Sequence, residues 1–147
     1  MENIFNYQSV PRHYAHCFNR QCVRSRECLR HLVATNSTAQ QDVLTVVNPN
    51  RIPSDTSTCP YFRAIEIVRL AWGVKYIFDD VPHKAAKAMR KQIIAHFGKA
   101  TYYRFYRRER ALTPEDQQYI HRVFKQHGII HEPRFETYTD EIDFLPG

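Results

Sequence analysis

Pro82-His83-Lys84-Ala85-Ala86-Lys87-Ala88-Met89-Arg90-Lys91-Gln92-Ile93-Ile94-Ala95-His96-Phe97-Gly98 is the stretch that decides the fold class of this chain. Pro82 suits the first turn of a helix, where a missing N–H costs nothing, and Asp80 stands in position to cap it. Ala85, Ala88, Met89, Gln92, Ile93, His96 and Phe97 recur at helical spacing as one stripe. Lys84, Lys87, Arg90 and Lys91 decorate the other side. Gly98 sits where a C′ glycine belongs. The stretch predicts a helix with one buried face and one cationic face.

Outward from it, residues 99–108 predict a second helix. A third starts with Thr113 as N-cap, Pro114 at N1, and Glu115 and Asp116 complementing the helix dipole. Tyr119, Ile120, Val123 and Phe124 form its buried face, and Gly128 ends it. Upstream, residues 65–72 alternate imperfectly and read as strand or helix. Residues 34–58 are rich in Thr, Ser, Asn, Asp and Pro. Within them the run Val43-Leu44-Thr45-Val46-Val47 predicts a short strand, ended by Asn48-Pro49-Asn50. Downstream, residues 135–139 predict a late strand. The acidic end that follows carries interleaved Ile142 and Phe144, so it is expected to dock. No internal repeat appears. The expected architecture is α+β and mainly helical: a small single domain over 1–147, with a metal-stapled N-terminal segment over 10–62. Residues 63–147 form the helical, basic portion with its acidic tail.

A chain of 147 residues with 43% hydrophobic and 13% aromatic content is long and apolar enough to bury a core, which argues against disorder. No apolar run approaches the roughly 18 residues of a membrane helix, and the first ten residues lack the pattern of a signal peptide. The expectation is a cytoplasmic protein with no membrane partner. The net charge of +6 is unevenly spread. Residues 59–111 hold twelve Lys/Arg against four Asp/Glu, whereas residues 112–147 hold three against seven. Such asymmetry suits a polyanionic partner, or a tail that folds back on the basic region.

The four cysteines carry the most chemical information. Cys17, Cys22 and Cys28 follow one another as Cys-x4-Cys-x5-Cys, and Cys59 stands directly before Pro60. Thiolates are soft, charged ligands, and four of them close a tetrahedral zinc site or hold an iron–sulfur cluster. In a reducing compartment, closely spaced cysteines favour metal over disulfides. Ser25 is positioned to cap a helix whose first turn holds Glu27 and Cys28, where amide dipoles ready the thiol for metal. His31, His16 and His13 are substitute ligands. His31 lies three residues after Cys28, so both could face one ion. The rival readings are buried reduced thiols and disulfides. Zinc leads iron–sulfur on frequency alone.

The second feature is the segment Lys99-Ala100-Thr101-Tyr102-Tyr103-Arg104-Phe105-Tyr106-Arg107-Arg108-Glu109-Arg110. If helical throughout, it puts Arg104, Arg107 and Arg108 on one face and Tyr102, Tyr103 and Tyr106 on the next. Arginines bind phosphate bidentately, and tyrosines offer planes for unpaired bases. With Lys84, Lys87, Arg90 and Lys91 they would make a patch for RNA or single-stranded DNA. The structural alternative is that the aromatics are core and the arginines pair with Glu109 or the acidic tail. A helix-turn-helix reader is disfavoured, because the helix from Pro114 opens on Glu115 and Asp116, which phosphate repels.

No catalytic set emerges. The chain has no nucleophile elbow, no phosphate-cradling glycine loop and no His-Glu-x-x-His, and a four-thiolate zinc has no open position for water.

Two strings, Cys28-Leu29-Arg30-His31-Leu32 and Cys59-Pro60-Tyr61-Phe62-Arg63, carry a resemblance. So does the segment from His96-Phe97-Gly98 through Tyr102-Tyr103-Arg104 to Glu109-Arg110. Together they resemble a family of small, uncharacterised proteins of gut Bacteroidota, over most of the chain from about Tyr14 to Tyr138. The resemblance implies a bacterial, cytoplasmic setting and transfers no catalytic residue. The functional expectation is a metal-stabilised binding protein, zinc favoured, with RNA or single-stranded DNA as ligand. The alternatives are an iron–sulfur redox or metal-responsive regulator and an adaptor for an acidic protein partner.

Overall fold

The structure, a computed structural model, describes residues 4–37 and 41–144. Among these residues it is α+β, with four α-helices and one two-stranded sheet. The chain divides into two compact units: Val68–Glu141, and Met1–Ile67 together with Ile142–Gly147.

Three helices build the unit at Val68–Glu141. The first, α2 (His83–Phe97), follows α1 (Leu29–Thr35) of the other unit in chain order; then come α3 (Lys99–Tyr106) and α4 (Pro114–Gln126). Pro82 occupies the N-cap of α2 and no side chain caps that end, so Asp80 does not serve as the cap; it lies near Arg134 instead, at 3.8 Å. Gly98, at φ +89°, closes α2 and opens α3, a backbone that other residues seldom adopt. At α4 the expected start is present as a full capping box. The Thr113 hydroxyl accepts from the Asp116 N–H (3.2 Å), and the Asp116 carboxylate accepts from the Thr113 N–H (3.0 Å).

The three helices meet in one core, although Ala88 and His96 of the stripe predicted for α2 are exposed and Ala86 is buried instead. Met89 and Ile93 of α2, Tyr102 and Phe105 of α3, and Ile120, Val123 and Phe124 of α4 are all buried. Phe97 packs edge-on against Phe105, with ring centroids 5.2 Å apart. The ambiguous stretch is a strand, β1 (Ile67–Trp72), and it pairs with β2 (Thr137–Ile142). The late strand therefore starts two residues after the expected 135 and runs on through the acidic residues. Glu136 N–H donates to the Trp72 carbonyl, and the Trp72 indole donates to Thr139 Oγ1 at 2.8 Å. On the other edge of β1, Ala71 exchanges both backbone bonds with Leu112 (3.0 and 2.7 Å).

The other unit is held differently. Its helix, α1 (Leu29–Thr35), buries Leu29, Val33 and Ala34. The expected helix start at Ser25 is only a 3₁₀ turn, Ser25–Glu27, and Cys28 adopts extended φ/ψ at the N-cap of α1 rather than lying in its first turn. The expected strand at residues 43–47 is not formed. Only Val46 makes a bridge, to His16, because one residue's N–H and C=O (2.8 and 2.9 Å) are all the partner that run finds. Arg30 joins segments that no sheet joins. Its guanidinium donates to the carbonyls of Tyr61 (2.8 Å) and Ala15 (3.1 Å), and its own carbonyl accepts from the Cys17 N–H. Asp143 and Phe144 dock in this unit: Asp143 N–H donates to the Glu66 carbonyl (2.9 Å), and Phe144 sits edge-on to Tyr14. Burial raises the Tyr14 phenol above its ordinary range, although the nearby Arg30 opposes that shift.

Candidate metal centre and basic surface

Each cysteine is delivered by a different local structure. Cys17 is anchored through its N–H to Arg30 and through its carbonyl to the His31 ring, Nδ1 to oxygen 3.2 Å. Cys22 opens a turn closed by the Ser25 N–H (3.2 Å). Cys28 is the N-cap of α1, and its carbonyl accepts from the Leu32 N–H (3.0 Å). Cys59 ends the 3₁₀ turn Thr56–Thr58 and opens a second turn closed by the Phe62 N–H (3.3 Å). All four are free thiols; Cys28 is buried and the others are half-buried.

These four side chains and His31 line one cavity of about 20 Å³. That is room for one small sphere, since about 10–15 Å³ of such volume admits a single water. Arg30 borders it, and no carboxylate does. A donor set of thiols with one imidazole suits zinc or copper(I) rather than calcium or magnesium. As the side chains stand, no three His, Cys, Asp or Glu among the described residues are at metal-ligand spacing. The fold brings the four cysteines to a common cavity without setting them at bonding distance of one ion.

The substitute ligands separate clearly. With its Nδ1–H donated to the Cys17 carbonyl, His31 keeps Nε2 as the nitrogen with a lone pair, the way ligating histidines are oriented. His16 is buried but engaged on both nitrogens, at Nδ1 by the carbonyls of Tyr14 and Thr45 and at Nε2 by the Tyr7 hydroxyl. His16 and His13 line a different cavity. Neither is available to the cysteines.

The basic surface is reduced and redrawn. Residues 81–108 contain eight Lys/Arg and no Asp/Glu, which makes α2 and α3 an acid-free stretch. Lys84, Lys87 and Lys91 are exposed on α2, and their spacing puts them on one stripe. Arg90 bends over the Phe78 ring instead, 5.1 Å from its centroid. On α3 the expected aromatic face divides. Tyr102 is 3% exposed, so it is core and offers no stacking plane, and burial raises its phenol pKa although Arg90 hydrogen-bonds it. Tyr103 and Tyr106 remain exposed, their rings 6.2 Å apart.

The three arginines do not share a helical face, because α3 ends at Tyr106. Arg108 takes φ +59°, its N–H donates to the Phe105 carbonyl (3.1 Å), and the Glu109 N–H reaches back to the Arg104 carbonyl (2.9 Å). Those two bonds form a Schellman motif with arginine where glycine is usual. Arg107 is bound by both oxygens of Glu109 (3.0 and 3.3 Å), which holds the Glu109 carboxyl below its ordinary range. Arg104 and Arg108 are exposed and make no ion pair among the described residues.

Sequence reasoning missed the Tyr7–His16 network entirely, since Tyr7 Oη also lies 3.1 Å from Gln41 Oε1, 34 residues away, and no local motif links them. No helix among the described residues is long and apolar enough to cross a membrane. No curated protein and no solved structure matches the chain. A family of unknown function, DUF6078, has a model that matches residues 1–144, and the chain belongs to that family.

Proposed function

We propose that this protein binds single-stranded nucleic acid and that its Met1–Ile67 unit folds around one zinc ion held by Cys17, Cys22, Cys28 and Cys59. The observation that carries the metal reading is that four cysteines from four separate local structures line one ion-sized cavity in a unit that is poor in core. Of the eighteen buried hydrophobic residues among those described, only Cys28, Leu29, Val33 and Ala34 belong to that unit. A segment of this size with so little buried apolar surface needs a staple. A bound metal supplies one, because zinc affinity of a site absent from the unfolded chain becomes folding free energy. The cavity's volume supports a single ion over a multi-iron cluster. Arg30 at its border offsets the negative charge that four thiolates around zinc leave behind. His31 serves as an orienting residue for the Cys17 peptide, or as the fourth ligand where one thiolate stays outside.

The nucleic-acid reading is supported by the acid-free run over residues 81–108. Lys84, Lys87, Lys91, Arg104 and Arg108 would neutralise phosphates, and Tyr103 and Tyr106 would stack on bases. Cys28→Ser and Cys59→Ser should each lower zinc content to well below one per chain; unchanged content removes that residue from the ligand set. Retention on oligo(dT) or poly(U) should weaken steeply with added salt. Absence of retention at low salt leaves the acidic protein partner as the reading of that surface.

A further inference from the structure

Tyr7 and His16 meet at a second, larger cavity of about 650 Å³, a size ordinary for small-molecule sites. His16 is 4% exposed. Its Nδ1 is fixed by the carbonyls of Tyr14 (2.9 Å) and Thr45 (3.1 Å), which makes Nδ1 the protonated nitrogen of the neutral ring and leaves Nε2 as the base. Tyr7 Oη lies 2.7 Å from that Nε2. The half-buried phenol therefore presents one face to the base and the other to the cavity. A nucleophile in hydrogen-bond contact with a base, and the base oriented by a third group, is the arrangement that activates hydroxyls for covalent chemistry. Gln41 Oε1, 3.1 Å from Tyr7 Oη, is a second hydrogen-bond partner that holds the hydroxyl in place. Arg12 lines the same cavity and brings a guanidinium to it, and Asp42 is the carboxylate among its lining residues.

We infer that Tyr7 is a nucleophile with His16 as its base, in a cavity that takes a small, anionic phosphoryl donor. In the step, Tyr7 Oη forms a bond to phosphorus and the bond from phosphorus to the leaving oxygen breaks. The phenolic proton passes to His16 Nε2 and then to the leaving oxygen. The product is a phosphate ester on Tyr7. Arg12 holds the donor's phosphate oxygens, for which a guanidinium is suited.

The test incubates the full-length protein with acetyl phosphate and magnesium and maps phosphotyrosine by mass spectrometry. Tyr76 and Tyr103, both exposed, are internal references for unassisted reaction. General-base assistance is worth about 10²–10⁴-fold. Tyr7 should be modified at least tenfold faster than either reference, and His16→Gln should bring it down to their level. Arg12→Ala should raise the acetyl phosphate concentration needed for half-maximal rate. Modification of Tyr7 no faster than Tyr76 and Tyr103 overturns the proposal. So does a rate that His16→Gln leaves intact. If His16→Gln loses the native circular dichroism, the Tyr7-to-Tyr76 ratio and the Arg12→Ala shift decide on the folded protein.

Discussion

Two helices in the unit at Val68–Glu141 end in the same backbone motif with different residues at the left-handed position, and this yields a matched pair of substitutions. At the end of α4, Gly128 takes φ +76°, with Ile129 N–H bonded to the Phe124 carbonyl and Gly128 N–H to that of Lys125, both at 3.0 Å. At the end of α3 the equivalent position is Arg108 at φ +59°. A residue with a Cβ is strained in that region by about 1–2 kcal/mol, and glycine gives back about 0.5–1 kcal/mol through the freer unfolded chain. Arg108→Gly should therefore stabilise by about 0.5–1 kcal/mol, and Gly128→Ala should destabilise by a similar amount. A Cβ on Gly128 would meet nothing within 4 Å, so its cost is conformational and not steric. The chain's one tryptophan, Trp72, lies in the same unit and reports its unfolding by fluorescence in urea. With a slope of about 1 kcal/mol/M for a unit this small, the midpoints should move by about 0.5–1 M in opposite directions. Arg108→Asn, which loses the charge but tolerates the conformation, should follow Arg108→Gly in direction. Midpoints that move together, or an Arg108→Gly midpoint at or below the parent's, would refute the reasoning.

Four further outcomes are expected. Thr113→Ala removes half of the capping box and should cost about 1 kcal/mol in the same urea assay. Gly73→Ala should cost more than the Gly128 substitution, because Gly73 combines φ +86° with a Glu136 side chain packed where the Cβ would go; equal costs would mean Glu136 moves aside freely. Replacing Lys84, Lys87 and Lys91 with Gln should weaken binding to oligo(dT) and flatten its salt dependence without shifting the urea midpoint, whereas Arg107→Ala should do much less, since Glu109 already neutralises Arg107. Tyr102 is raised by burial, so the folded state keeps that proton when the unfolded chain has lost it. The associated stability is complete below the unfolded value near 10 and is lost as pH rises from there toward the folded value. The alkaline fall in stability should be shallower in Tyr102→Phe, read from urea midpoints on either side of that pH.

The unit at Val68–Glu141 was legible where local chemistry decides. Thr113-Pro114 with Asp116, Gly98 and the Met89–Ile93 spacing carry their own helix signals, and all three helices are where those signals put them. The aromatic segment was readable as a helix, yet not its end or its faces. An arginine at φ +59° gives no stop signal, and a turn of one residue separates buried Tyr102 from exposed Tyr103. The other unit has little periodicity to read. Its segments are joined by Arg30's bonds to Tyr61 and Ala15 and by a single-residue bridge between His16 and Val46, so a β-branched run such as residues 43–47 had a propensity and no ladder. The cysteine spacing pointed to a meeting of the four side chains, and all four line one cavity. It gave no hint that His16 was committed to Tyr7.

The account rests most heavily on metal-coupled folding of the Met1–Ile67 unit, and hydrogen exchange with and without a chelator tests it most directly. Protein purified without a metal-affinity tag should carry one zinc per chain by native mass spectrometry. Stripping it should abolish amide protection in α1 and around the Arg30 bonds while α2, α3 and α4 stay protected by their own core. Added zinc should restore the lost protection at one equivalent. A chain that binds no zinc, or whose Met1–Ile67 amides exchange identically in both states, would contradict the account.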